Sequence, residues 1–269
     1  MNKKEKEFIK TVWEYYKAHG RQSLPWRQTQ NPYHILVSEI MLQQTQVDRV
    51  IPRYKRFLKK FPTLKKLSEA SLGDVLREWQ GLGYNRRAKM LHQCATTILT
   101  QYKGKFPKTH TELMQLPGIG HYTAGAIMAF AYNVGVPIIE TNIRSVFIHH
   151  FHKDQTDVTD TELFHSIGIV LDTENPREWY YALMDYGAYL KKTIGNPNSR
   201  SKHFAVQSTF KNSDRQIRGA IVKFLAEKEQ SRNELCKKLS FDIQRIDEQV
   251  EKLLKEGMIA KKNQKYKLP

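Results

Sequence analysis

Apolar side chains recur at helical spacing from residue 6 to about residue 190, as in Ile35, Ile40, Leu42 and Val47, or Leu183, Tyr186 and Leu190. That period fits amphipathic helices, and no run of alternating strand pattern interrupts it. The dipeptides Asn31-Pro32, Phe61-Pro62, Phe106-Pro107, Leu116-Pro117 and Asn175-Pro176 cut the pattern into helices of ordinary length. A residue before proline is pushed out of helical backbone, and proline begins a helix better than it continues one. The main domain is therefore expected to be all-α.

Between Lys191 and Asn212 the period is lost and Gly, Pro, Asn and Ser collect, the composition of a loop. Beyond it, DRQIRGAIVKFLAEK, SRNELCKKLS and DIQRIDEQVEKLLKEG read as three amphipathic helices, and MIAKKNQKYKL as two short strands around a polar turn. That order is a winged helix-turn-helix. The expected domains are 1–207 and 208–269. A winged helix can lay its third helix in a DNA groove or bind protein, and the residues leave both open.

Forty-four Lys and Arg face 27 Asp and Glu in 269 residues, a net charge of +17. Such an excess is an electrostatic footprint for a polyanion, nucleic acid first. Solubility alone is the competing explanation. Cys94 and Cys236 are the only cysteines and lie far apart, which argues against a disulfide framework or a multi-cysteine metal site. The opening MNKKEKEFIKTVWEYY lacks an apolar run of signal length, and no stretch reaches membrane-spanning length. A cytoplasmic, nucleoid-associated protein that touches no membrane and acts as a monomer is expected.

The segment Leu116-Pro-Gly-Ile-Gly-His-Tyr-Thr-Ala-Gly-Ala carries the most local information. Gly118 and Gly120 flank one apolar residue and lead into a helix of small residues, so the backbone can turn tightly and aim N–H groups at a phosphate oxygen. A plain helix-to-helix turn would use the same residue types.

With Pro25-Trp26-Arg27, the string Ser38-Glu39-Ile40-Met41-Leu42-Gln43-Gln44-Thr45-Gln46-Val47, and Gly81-Leu82-Gly83-Tyr84, this hairpin resembles the adenine DNA glycosylase branch of the helix-hairpin-helix glycosylases related to endonuclease III. The resemblance covers roughly residues 6–207. It implies a two-lobed helical fold with DNA in the cleft, and a base-excision enzyme that hydrolyses the N-glycosidic bond of adenine mispaired with 8-oxoguanine or guanine. It assigns Glu39 as the general acid, a role that needs a raised pKa and fits the apolar neighbours Ile40, Met41 and Leu42. A first-turn charge facing a helix dipole is the plainer alternative.

The resemblance also places the second, sugar-side carboxylate in Ile139-Glu140-Thr141-Asn142, where Glu140 stands in place of the family's aspartate. Tyr122 occupies the position of a lysine in relatives that also cut the strand, so Schiff-base chemistry lacks its nucleophile and a monofunctional enzyme is expected. Tyr122 and Asn142 would line the sugar side. Gln44, Leu82 and Tyr84 match positions that wedge into the duplex and touch the opposite base, while Arg27, Gly118, Gly120 and His121 complete the expected DNA contacts. Ordinary packing or surface roles are the plainer alternative for Tyr122, Gln44 and Leu82.

Two family features are missing. The four cluster cysteines would fall on Lys191, Asn198, Ser201 and Gln207, so no iron–sulfur cluster is expected and no other metal or cofactor. The Nudix-like domain that reads 8-oxoguanine in the family is replaced by the winged-helix candidate. A glycosylase for a different damaged base, or a non-catalytic DNA-structure binder, therefore stands as an alternative.

Overall fold

The computed structural model describes residues 1–269 and is predominantly helical, with a small sheet near the C-terminus. In chain order the first helices are α1 (Lys3–His19), α2 (Pro32–Leu42), α3 (Val47–Lys60), α4 (Leu64–Ser68), α5 (Leu72–Glu78) and α6 (Arg86–Gln101). Next come α7 (His110–Met114), α8 (His121–Tyr132), α9 (Thr141–Phe151), α10 (Asp160–Val170) and α11 (Pro176–Thr193). All five X-Pro dipeptides fall at helix starts or breaks, and Pro32 and Pro176 each open a helix, where a missing N–H costs nothing. Pro52 lies inside α3 and was not anticipated.

Short polar residues fix the starts. Asn2 and Thr159 build reciprocal capping boxes with Glu5 and Glu162, and Thr63, Ser71 and Thr109 cap α4, α5 and α7 through their hydroxyls. No helix is long and apolar enough to cross a membrane.

The tail forms α12 (Asp214–Glu227), β1 (Gln230–Ser231), α13 (Arg232–Lys238), α14 (Ile243–Lys255), β2 (Ala260–Lys262) and β3 (Lys265–Lys267). Three helices and the terminal strand pair stand where the pattern puts them; β1, two residues long, carries no pattern to find. The sheet is antiparallel in the order β1-β3-β2, with Tyr266 opposite both Gln230 and Lys261. Asn263 and Gln264 turn β2 into β3 with positive φ at both, the backbone a two-residue hairpin demands.

The chain divides into two compact units. One gathers residues 1–39, 107–115 and 119–206. Its core packs α11 against α1 and α9, with Phe8 meeting Phe147 at 5.4 Å and the edge of Trp179 at 6.0 Å. The other gathers residues 40–106, 116–118 and 207–269. There Trp79 is wholly buried against Phe57, and the winged-helix tail docks on α5: Gly73 N–H donates to the Pro269 carbonyl (3.0 Å) and Arg77 to that of Ala226 (3.2 Å). The segment expected as a loop is partly ordered, since α11 runs on to Thr193, a 3-10 turn spans Pro197–Arg200, and Ser201 bridges Val158.

Candidate active site

In the first unit, α2 carries Glu39 on its buried side, where only 6% of the residue is exposed. The first turn of α8 brings up Tyr122, whose hydroxyl donates to Glu39 Oε2 at 2.7 Å. Burial lifts the Glu39 carboxyl to about 7; the Tyr122 hydrogen bond holds it back, the charge of Glu140 lifts it further, and Arg27 lowers it. Burial and the charges of Glu39 and Glu140 push Tyr122 well above the usual tyrosine range, so its hydroxyl stays a donor.

Glu140 sits at the N-terminus of α9 and caps it. Its Oε1 accepts from the amides of Asn142 (2.6 Å) and Ile143 (3.0 Å), and its Oε2 from the Asn142 side chain at 3.3 Å. Burial raises its pKa, while those amides and the charge of Lys191 oppose the rise. A carboxylate so placed is favoured as an anion by both the hydrogen bonds and the helix dipole. The longer side chain in place of aspartate is thus folded back onto its own helix start. Two acids in one site are held differently: Glu39 in apolar surroundings, Glu140 on N–H groups.

Close packing places Asn142. On α11, Gly187 lies against the start of α9 so tightly that a β-carbon would stand 2.2 Å from the Asn142 carbonyl oxygen. From the following turn, Asn198, 4% exposed, donates to the Thr141 carbonyl at 2.9 Å. Gly187 was missed by the sequence reading because small residues in helices are common.

Arg27 corrects an expectation. Instead of facing DNA, its side chain is 4% exposed and its guanidinium closed bidentately on Asp185, at 2.7 and 2.8 Å, beneath the Tyr181 ring at 4.4 Å. Arg21 adds its backbone N–H and its Nε to the same carboxylate, both at 2.8 Å, and Asp185 is held below the usual carboxylate range: burial raises it, and the bonds and charge of Arg27 and Arg21 outweigh that. The signal for Asp185 was present, as the single acid in the apolar window YYALMDYGAYL.

The second unit holds Gln44, Leu82, Tyr84 and Gly118. Leu82 also departs from expectation, since it is 3% exposed and packed in the core where no wedge can protrude. Gln44 and Tyr84 both take left-handed backbone, with φ of 52° and 47°. Such conformations strain residues with a β-carbon and are tolerated where surroundings over-determine them. Arg87 supplies that constraint: its Nη1 donates to the carbonyls of Ile40, Met41 and Gln43 at 2.7, 3.1 and 2.6 Å, and its Nη2 to those of Leu82 and Gly83 at 3.0 and 3.2 Å. Arg87 went unnoticed because nothing in Asn85-Arg86-Arg87 tells which arginine turns inward.

In the hairpin, Gly118 has φ +77°, and a β-carbon there would lie 2.6 Å from Met90 Cβ, so glycine is required on both counts. Gly120 precedes α8 without a side-chain cap and faces open space, and His121 beside it is exposed. The four cluster positions offer no thiolate: Lys191 acts electrostatically on Glu140, Asn198 pins Thr141, Ser201 bridges Val158, and Gln207 donates to Gln44 at 3.0 Å. Cys94 is buried in α6 and Cys236 lies on α13, so these residues do not fit an iron–sulfur cluster.

Residues 37–173 match the family described as HhH-GPD superfamily base excision DNA repair protein. The chain is 38% identical over 184 residues to the adenine DNA glycosylase of Buchnera aphidicola subsp. Baizongia pistaciae, covering 68% of this chain and 52% of that one. It is 33% identical over 278 residues to the adenine DNA glycosylase of Mycobacterium tuberculosis, covering 92% and 88%. The chain thus spans about half the length of the Buchnera relative and most of the mycobacterial one. Among solved structures, a thermostable thymine-DNA glycosylase superimposes with a TM-score of 0.63 at 26% identity, over 70% of this chain and 87% of that one. By these matches and the motifs that carry them, the chain belongs to the helix-hairpin-helix base-excision DNA repair superfamily, in its adenine DNA glycosylase branch.

Proposed function

We propose that this protein is a monofunctional DNA glycosylase that removes adenine mispaired with 8-oxoguanine or guanine. The observation that carries the reading is the buried Glu39, bonded to Tyr122 and lifted to about 7, beside an amide-anchored Glu140. One acid titrates near neutral pH, and the other rests on amides and the charge of Lys191 that favour its anion against the rise burial imposes, the division of labour that N-glycosidic hydrolysis needs. Glu39 gives its proton to a ring nitrogen of the extruded adenine. The bond between sugar carbon and base then breaks, with its electron pair leaving on the base. Glu140 steadies the positive sugar through charge. Water adds to the sugar carbon and its proton returns to Glu39. Every step uses side chains of this chain and water, and with Tyr122 in the lysine position the strand itself is left uncut.

Mismatched duplex DNA is the partner. Gly118, Gly120 and His121 offer backbone and side-chain groups to a phosphate, Gln44 and Tyr84 meet the duplex interior, and one copy of the chain acts where the nucleoid lies. The test is an end-labelled duplex with adenine opposite 8-oxoguanine, incubated with protein and then treated with hot alkali. Scission at adenine is expected; an intact strand at saturating protein overturns the reading. Glu39→Gln should keep binding and lose turnover.

A further inference from the structure

Helix α9, which begins at the Glu140 carboxylate, is gripped at both ends by one short segment. From the turn Pro197–Arg200, the Asn198 side-chain amide donates to the Thr141 carbonyl at 2.9 Å, beside the bond that Ser145 Oγ gives the same oxygen at 2.8 Å. Two residues on, Arg200 Nη1 donates to the carbonyl of His152 at 3.3 Å and to that of Lys153, just past the last turn of α9. Unpaired carbonyls at a helix C-terminus draw a cation in this way. Thr141 and His152 stand roughly 16 Å apart along the helix axis, so one segment fixes α9 lengthwise.

That segment is anchored outside α9. The Asn196 side chain accepts from Asn198 N–H at 3.3 Å, and Val158, buried at the entry to α10, donates its N–H to the Arg200 carbonyl and accepts from Lys202 N–H, both at 3.0 Å. Asn198 keeps its place at a cost, since it is buried and its Oδ1 has no hydrogen-bond partner. An apolar residue of similar size would serve packing better. What asparagine adds is one donor, and its target is particular. The Thr141 carbonyl and the Asn142 N–H belong to one planar peptide group. Asn198 holds the oxygen end of that plane, and Glu140 Oε1 accepts from its N–H end at 2.6 Å. A bond to the carbonyl polarises the group and strengthens the N–H as a donor.

We infer that Asn198 is a positioning residue for N-glycosidic hydrolysis, acting through the Thr141–Asn142 peptide to fix the carboxylate of Glu140, with Arg200 holding the far end of the same helix. The inference rests on the role proposed above for Glu140.

The test uses the full chain with Asn198→Ala, Asn198→Asp and Arg200→Met. It follows single-turnover excision of adenine opposite 8-oxoguanine, affinity for a duplex with a tetrahydrofuran abasic analogue, and amide hydrogen exchange at Asn142 and Ile143. Asn198→Ala should slow excision by about tenfold or more, leave affinity nearly unchanged, and speed exchange at both amides. Arg200→Met should act in the same direction more weakly. Asn198→Asp has nearly the same shape but turns an acceptor on the Thr141 carbonyl until the introduced carboxyl is protonated and can donate. Its rate relative to wild type should therefore climb as pH falls from 8 to 5, a recovery that a space-filling role would not give. If Asn198→Ala does not fold, Asn198→Asp and Arg200→Met decide. Unchanged exchange at the two amides, parallel loss of excision and affinity, or an Asn198→Asp ratio flat across pH overturns the inference. A wild-type chain that excises no adenine, with exchange still faster in Asn198→Ala, sinks the proposed reaction and leaves the hold on Glu140 standing.

Discussion

Gly187 and Asn142 are in backbone contact: no atom larger than hydrogen fits on the Gly187 α-carbon without displacing the start of α9, because a β-carbon would stand 2.2 Å from the Asn142 carbonyl oxygen and 2.8 Å from its own β-carbon. The same helix start carries Glu140, whose carboxylate is bonded to the amides of Asn142 and Ile143. Gly187→Ala should therefore move Glu140, the proposed sugar-side carboxylate. A misplacement of ~1 Å costs about a hundredfold in rate, so single-turnover excision should fall by that order while duplex affinity changes little. Rates within twofold of wild type would show that α9 can shift without consequence.

The pH dependence follows from Glu39. Its carboxyl titrates near 7, and the proposed acid works protonated, so excision should hold below that value and decline as pH rises through it. Stability runs the same way. The folded pKa lies above the unfolded one, so the favourable contribution is complete below about 4.5, the unfolded value, and is lost as pH climbs towards 7. Glu39→Gln should abolish turnover and leave the protein at least as stable as wild type at pH 8. Chemical denaturation at pH 5 and pH 8 checks this, and a variant destabilised at pH 8 would contradict it.

Asp185 is 3% exposed and receives the forked Arg27, whose side chain is 4% exposed, together with two bonds from Arg21. Removing the acid leaves Arg27 charged and buried without its partner. Asp185→Ala is expected to cost about 3–5 kcal/mol, read as a shift in the urea midpoint. A cost below 1 kcal/mol would show that water reaches the guanidinium.

Arg87 ties two strained turns by their carbonyl oxygens, and burial lowers its pKa to about 10 without any carboxylate beside it. Arg87→Met should destabilise the protein by roughly 2 kcal/mol or more, since the abandoned carbonyls lose charged hydrogen bonds. Binding to a mismatched duplex should weaken further than binding to a matched one. Equal loss on both would place Arg87 in general folding only.

Much of this architecture is legible from residues alone because it rests on local rules. Proline breaks, hydroxyl caps and helical period set the elements, and the spacing of Glu39, Tyr122, Glu140 and Asn142 follows motif strings that survive as text. What escapes is set by packing across long sequence separations. Arg27 reads as a surface cation until Asp185, 158 residues away, closes on it. Leu82 reads as a wedge until its burial is seen, and Gly187 reads as one more small helical residue until α9 lies upon it. The bond from Gln207 to Gln44 spans 163 residues and has no periodic signature at either end.

The left-handed backbone at Gln44 and Tyr84 sets heat resistance against repair at two addresses. Glycine or asparagine would relax either turn, so a library selected only for survival at high temperature should drift to them there. One selected for mutation avoidance should refuse the exchange, since it would surrender the amide and the ring proposed to meet DNA.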